Sequence, residues 1–153
     1  MSESIGKWEQ VKAALPDVLA AFQVDITEAE ARLSMKGKSG TEAIQEQPGW
    51  VAYYGMRKAE LSKVLKYIDS QVEACRSRLF KKYLENYSRA LSERAIHTYV
   101  DSEAEYLGYL EVYLEVEEIR DSISEIHSAF VSRGFSLRDW TALKVVSMQN
   151  DVI

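Results

Sequence analysis

The sequence predicts an all-α fold: two long antiparallel helices with short N- and C-terminal helices, oligomerising through coiled-coil-like seams. Three observations predict it. Apolar residues recur at spacings of three and four over two long stretches, the period of one helix face. Only two prolines and seven glycines interrupt the 153 residues. No stretch alternates apolar and polar residues over the length of a strand.

Taken in order, residues 1–45 predict a weakly ordered N-terminal helical region, and residues 46–150 a helical domain that carries oligomerisation. In the first, Trp8, Val11, Leu15, Val18, Leu19 and Phe22 recur at helical spacing, and Pro16 starts or kinks a turn. Thr27 and Glu30 have the spacing of a capping box for a short helix ending near Met35. Gly37 to Gly40 is a break. Its Gly-Lys-Ser is not a phosphate-binding loop, because the first glycine of that motif would fall on Arg32.

Pro48 and Gly49 mark the start of the first long helix, predicted from Trp50 to about Ala90. Leu61, Leu65, Ile68, Val72, Cys75 and Leu79 form its stripe, continued by Tyr83, Tyr87 and Leu91. A short helix follows from Ser92 to Val100. Asp101 or Ser102 caps the second long helix, which runs to Ser132 or Arg133 with Tyr109, Val112, Val116, Ile119, Ile123, Ile126 and Phe130 as its stripe. Gly134 then reads as a left-handed helix end, and Ser136 with Asp139 as the cap of a last short helix faced by Leu137, Trp140, Leu143 and Val146.

Residues 106–116 are apolar around most of the helix circumference, and such a helix is surrounded by neighbours. In a chain this small those neighbours are expected from other protomers. The expected oligomer interface is therefore Tyr106, Tyr109, Leu110, Val112, Tyr113, Val116, Ile119 and Ile123.

Composition narrows the class. Hydrophobic residues at 46% and charged residues at 28% exclude a wholly disordered chain. No apolar run reaches the ~18 residues of a membrane span, and the first residues lack the basic start and apolar core of a signal peptide, so a cytoplasmic protein with no membrane partner is expected. The lone Cys75 allows no internal disulfide and, in phase with the apolar stripe, reads as a core residue. No catalytic constellation is visible. His97 and His127 both lack the Glu-x-x-His partner of a helical metal site, since positions 94 and 124 are Arg94 and Ser124. Neither an enzyme nor a cofactor is expected.

Charge is more telling. The net charge is -5, yet residues 56–94 hold ten basic groups against five acidic ones, and residues 101–127 nine acidic groups against Arg120. The two segments either face different partners or neutralise each other. On a helical wheel Lys63, Arg78, Lys81, Lys82 and Arg89 lie opposite the apolar stripe, and Arg76 lies nearer its edge. Tyr53, Tyr54, Tyr67, Tyr83 and Tyr87 are interleaved with them. Cations tracking a phosphate backbone, with aromatics for unpaired bases, is the composition of a single-strand binder. The alternative is a solvated basic face on a helical phage assembly or structural protein without DNA binding.

The ordered layout resembles the UvsY family of phage recombination mediators. The features that carry this are the aromatic helix start Trp50, Val51, Ala52, Tyr53, Tyr54; the basic helix with Arg76 and Arg78; the short segment from Ser92 to Ile96; the second helix rich in Tyr and Leu; and the turn at Ser132, Arg133, Gly134 and Phe135. The resemblance implies a helical non-enzyme that forms a hexamer or heptamer ring, binds single-stranded DNA, and promotes loading of a RecA-like recombinase onto strands covered by single-strand-binding protein. It places DNA contacts at Arg76 and Arg78. The wheel adds Lys81, Lys82, Lys63 and Arg89.

Overall fold

A computed structural model describes the backbone of residues 2–87 and 89–150, and side chains over residues 6–87 and 89–148. The described residues are helical apart from short connections: α1 (Ser2–Leu33), α2 (Gly40–Asn86), α3 (Glu93–Asp101) and α4 (Ala104–Asn150). None is long and apolar enough to cross a membrane.

The α2 stripe forms where the spacing puts it. Leu61, Leu65, Ile68, Val72, Cys75 and Leu79 are all buried, each large side chain contributing roughly 1.5–3 kcal/mol. On α4 the burial thins to every seventh residue. Val116, Ile123 and Phe130 are fully buried, while Val112, Ile119 and Ile126 are half-buried. Helix α3 follows its sequence closely: Ser92 caps it by accepting from the Ala95 N–H, and Ile96 and Val100 are its buried pair.

Helix α2 ends at Asn86 rather than near Ala90, so Tyr87 and Leu91 lie beyond it, and four other boundaries also differ from expectation. Helix α1 is continuous through Pro16, and the Thr27 hydroxyl donates to the Gln23 carbonyl at 2.9 Å instead of capping a new helix. Helix α2 begins at Gly40. Ser39 accepts from the Glu42 N–H at 3.2 Å while the Glu42 carboxylate accepts from the Ser39 N–H at 2.8 Å, a complete capping box. Pro48 therefore lies inside α2 and leaves the Ile44 carbonyl without its helical donor. Ser102 ends α3 rather than capping α4.

The fourth is the expected turn at Gly134, which is absent. Helix α4 runs through Gly134 to Asn150, so no separate C-terminal helix exists. The only left-handed glycine among the described residues is Gly37, between α1 and α2. Gly134 does not take a positive φ; a Cβ there would lie 3.0 Å from Gln47 Nε2, the end of a flexible side chain that donates to the Phe130 carbonyl. Ser136 bonds back to the Ser132 carbonyl at 3.4 Å and caps nothing. Beyond buried Leu137, the residues Leu143, Val145, Val146 and Met148 are exposed.

The chain divides into two compact units, Met1–Asp17 with Glu60–Ile119, and Val18–Ala59 with Arg120–Ile153. Helix α1 contributes to both units. The first unit has a core of Cys75, Leu79, Ile96 and Val100, with Phe80, Tyr83, Leu91, Tyr106 and Tyr109 against it.

The second unit is built around a buried carboxylate. Asp25 accepts from Arg32 at 3.0 Å, from Arg57 at 2.7 Å and from the Tyr53 hydroxyl at 2.7 Å, while its carbonyl accepts from Tyr54 at 2.7 Å. Arg32 also lies 4.7 Å over the Trp50 ring, and Arg57 3.9 Å over Phe22. Arg133, itself buried, donates to the last carbonyls of α1 at Arg32 (2.7 Å) and Leu33 (3.4 Å), a cation at the negative end of the helix dipole.

Burial pushes the Asp25 carboxyl up, but the bonds from Tyr53, Arg32 and Arg57 outweigh it and hold the group below its ordinary value. Its stabilisation is thus complete above the unfolded value near ~3.9 and is lost as pH falls through the native one. Asp25→Asn removes the carboxylate on which Arg32 and Arg57 converge and should cost about 3 kcal/mol in urea unfolding near neutral pH. That difference should shrink below about pH 4; a difference independent of pH would show that the Asp25 charge contributes nothing.

Candidate nucleic-acid interface

The buried stripe of α2 decides where its cations lie. In the first unit Lys63, Arg78, Lys81 and Lys82 are exposed on α2, and Arg89 is exposed in the segment after it. Arg76, at the edge of the stripe, is half-buried. Cys75 is part of the core, and burial, helped by Glu105, pushes its thiol above the ordinary range.

Several of these cations are already engaged. Arg76 pairs with Asp101 at 3.2 Å, and its guanidinium lies 5.9 Å from the Tyr106 ring centre. Arg78 pairs with Glu105 at 2.5 Å, a bond that raises the guanidinium's already high pKa. Lys81 lies 3.8 Å from Glu85 on its own helix. The arginines singled out by family resemblance are thus the two that bridge to carboxylates of α3 and α4. At these positions the basic and acidic segments neutralise each other inside the protomer. Lys63, Lys82 and Arg89 keep exposed charge, and Lys82 Nζ lies 5.9 Å from the Tyr83 ring centre.

The tyrosines separate into two groups. Tyr53 and Tyr54 belong to the Asp25 cluster, and Tyr54 is fully buried, out of reach of any ligand. Tyr67 is half-buried beneath the Lys7 ammonium at 5.6 Å. Tyr83 and Tyr87 meet a residue that the wheel misses, Tyr99 of α3. Tyr83 and Tyr99 stack with centres 5.6 Å apart and planes 15° apart, and Tyr87 lies 6.2 Å from Tyr99 at 23°. The Tyr83 hydroxyl donates to Glu103, which pushes its phenol up to about 12 and keeps it a neutral donor.

Residues expected at an oligomer interface are partly consumed by the protomer itself. Val116 and Ile123 are fully buried. Tyr106 and Tyr109 pack on the first unit's core, and Trp8 of α1 stacks on Tyr109 at 4.7 Å. Helix α1 supplies a neighbour that the expectation assigned to another protomer. Leu110, Val112, Tyr113 and Ile119 remain half-buried, while Leu107 and Leu114, seven residues apart, are exposed.

Other candidate chemistry is weaker. An open cleft of about 630 Å³ in the second unit has Arg32 and Lys38 on its wall, but Asp25 and Glu28 hold the first and Glu46 the second. Among the described residues no group of three or more His, Cys, Asp or Glu is placed to hold a metal ion. No family model, curated protein sequence or solved structure matches the chain.

The Arg78–Glu105 pair is exposed on both sides, so its stabilising effect is small. Glu105→Gln should cost less than about 1 kcal/mol, and less still in high salt. Urea unfolding at two ionic strengths measures it; a loss of several kcal/mol at high salt would make this pair a structural keystone rather than a displaceable contact.

Proposed function

We propose that the chain is a recombination mediator that acts by binding. It holds single-stranded DNA as a homo-oligomer and promotes loading of a RecA-like recombinase onto strands covered by single-strand-binding protein. The observation that carries this reading is the set of exposed cations, Lys63, Arg78, Lys81, Lys82 and Arg89, on one compact unit of an otherwise acidic chain. The UvsY-like layout supports it through the aromatic start of α2, the Arg76 and Arg78 pair, the α3 segment and the tyrosine- and leucine-rich α4. The turn at Gly134 no longer contributes, since that segment is helix.

On this reading α2 and α4 run antiparallel, and oligomerisation uses what the protomer leaves uncovered on α4, chiefly Leu107 and Leu114. Exposed Glu111, Glu115 and Glu118 lie at spacings of four and three on α4, which suits steering of a basic protein surface rather than DNA. A ring presents many weak sites to one strand, so modest contacts per subunit suffice. The rival reading, an assembly protein indifferent to DNA, draws on the Arg76–Asp101 and Arg78–Glu105 pairs, which leave less free charge than the sequence suggests.

A salt series with labelled single-stranded DNA separates the two. Arg78→Ala with Lys82→Ala should weaken binding and flatten its salt dependence by roughly one unit of slope per lost phosphate contact. Asp101→Asn with Glu105→Gln should tighten binding, because DNA no longer competes with internal carboxylates. Light scattering tests the assembly: a mass near 17.5 kDa across the micromolar range would remove the ring, and absence of binding at low salt would leave the rival reading.

A further inference from the structure

The three stacked tyrosines and the cleft beside them have no part in the electrostatic contact just described. Tyr83 is the fixed member: its ring packs against the core of Cys75, Leu79, Ile96 and Val100, and its hydroxyl is held by Glu103. Tyr87 and Tyr99 build outward from it and remain 48% and 44% exposed. Near-parallel rings with offset centres hold one another in place. The stack thus offers aromatic surface to solvent without a mobile side chain having to be ordered on binding. Tyr99 also lines a cleft of about 410 Å³, whose other walls are Ser92, Arg94, Ala95 and Thr98. This volume falls in the range of small-ligand sites.

The charges around the stack favour a phosphate-linked ligand. Lys82, Arg89 and Arg94 are exposed in the same stretch of chain. Of the nearby carboxylates, Glu85 faces Lys81 and Glu93 lies 3.8 Å from His97, while Glu103 stays on the inner side of the stack, where it accepts from the Tyr83 hydroxyl. Aromatic faces flanked by cations suit an unpaired base with its phosphate. A duplex hides its base faces and gains nothing from them.

We propose that Tyr87 and Tyr99 are a stacking platform for unpaired bases of single-stranded DNA, with Arg94 at the adjoining cleft taking the neighbouring phosphate. This rests on the single-strand binding proposed above and names the part of it that distinguishes single from double strands. The contact is sequence-tolerant, since every base has a face to stack.

The test compares an oligothymidylate with an abasic oligomer of equal length, using the full chain. Tyr87→Ala with Tyr99→Ala should weaken oligothymidylate binding by at least about 5-fold, leave the abasic oligomer unaffected, and keep the salt slope. Tyr87→Phe with Tyr99→Phe retains both rings and should bind as the wild type does. Should the alanine variant misfold, photo-crosslinking of the wild type to a bromodeoxyuridine oligomer decides, with adducts expected on Tyr87 or Tyr99. An equal loss on both oligomers, no loss on either, or crosslinks confined to other residues overturns the platform and leaves single-strand binding standing. A wild type that binds neither oligomer at low salt overturns both.

Discussion

A single buried carboxylate, Asp25, settles how α1 meets α2 in the second unit. A charge out of water needs several strong donors, and the sequence supplies them from two helices: Arg32 on α1, and Tyr53 and Arg57 on α2. Three donors converging on one group leave little freedom of register, because sliding either helix by a turn would strand a charge. The apolar surroundings follow from this centre. Phe22 lies under Arg57, Trp50 under Arg32, and Tyr54 stacks on Phe130 of α4 at 5.1 Å. Arg133 then closes the end of α1 one helical turn beyond Phe130. The unit's polar and apolar contacts are therefore one arrangement.

The first unit works differently. Its core is apolar, and its ion pairs lie at the rim, where they contribute little to stability and stay open to exchange. Arg76 and Arg78 sit opposite Asp101 and Glu105 at that rim. An overall acidic chain can thus present a locally basic helix face while part of that charge is balanced at short range. The two units divide the labour of charge: one uses it to specify packing, the other keeps it near solvent.

Much of this was legible in the sequence, and what was not has identifiable causes. The α2 stripe from Leu61 to Leu79 and the short helix α3 depend on local spacing and appear as expected. The start of α2 was equally local, in Ser39 and Glu42, but Pro48 and Gly49 form the louder punctuation and draw the boundary too late. Gly134 misleads for the opposite reason. Its residue type suits a helix end, whereas it lies within a continuous helix, with the side-chain amide of Gln47 from a distant stretch of the chain close against it. Of the candidate interface, the outward cations were legible because a wheel separates them from the stripe. Their carboxylate partners were not, since pairing depends on how α2 faces α3 and α4. Tyr99 was hidden in a nine-residue helix whose two buried residues leave the rest of its surface unassigned.

The placement of α1 changes how the apolar richness of α4 should be weighed. Counting large side chains on 106–116 assigns the surplus to other protomers only if the protomer has nothing else to offer. Trp8 stacked on Tyr109, and the core that receives Tyr106, show that it does. What is left on that stretch is the exposed pair Leu107 and Leu114, beside half-buried Leu110, Val112 and Tyr113. An interface built on so little would be weak per contact and would need closure to be stable. In a closed ring each subunit is held on two sides, so breaking one contact does not release it. In the proposed ring, weak contacts between subunits and weak cations on each subunit would follow the same logic, with avidity supplying the strength that no single site has.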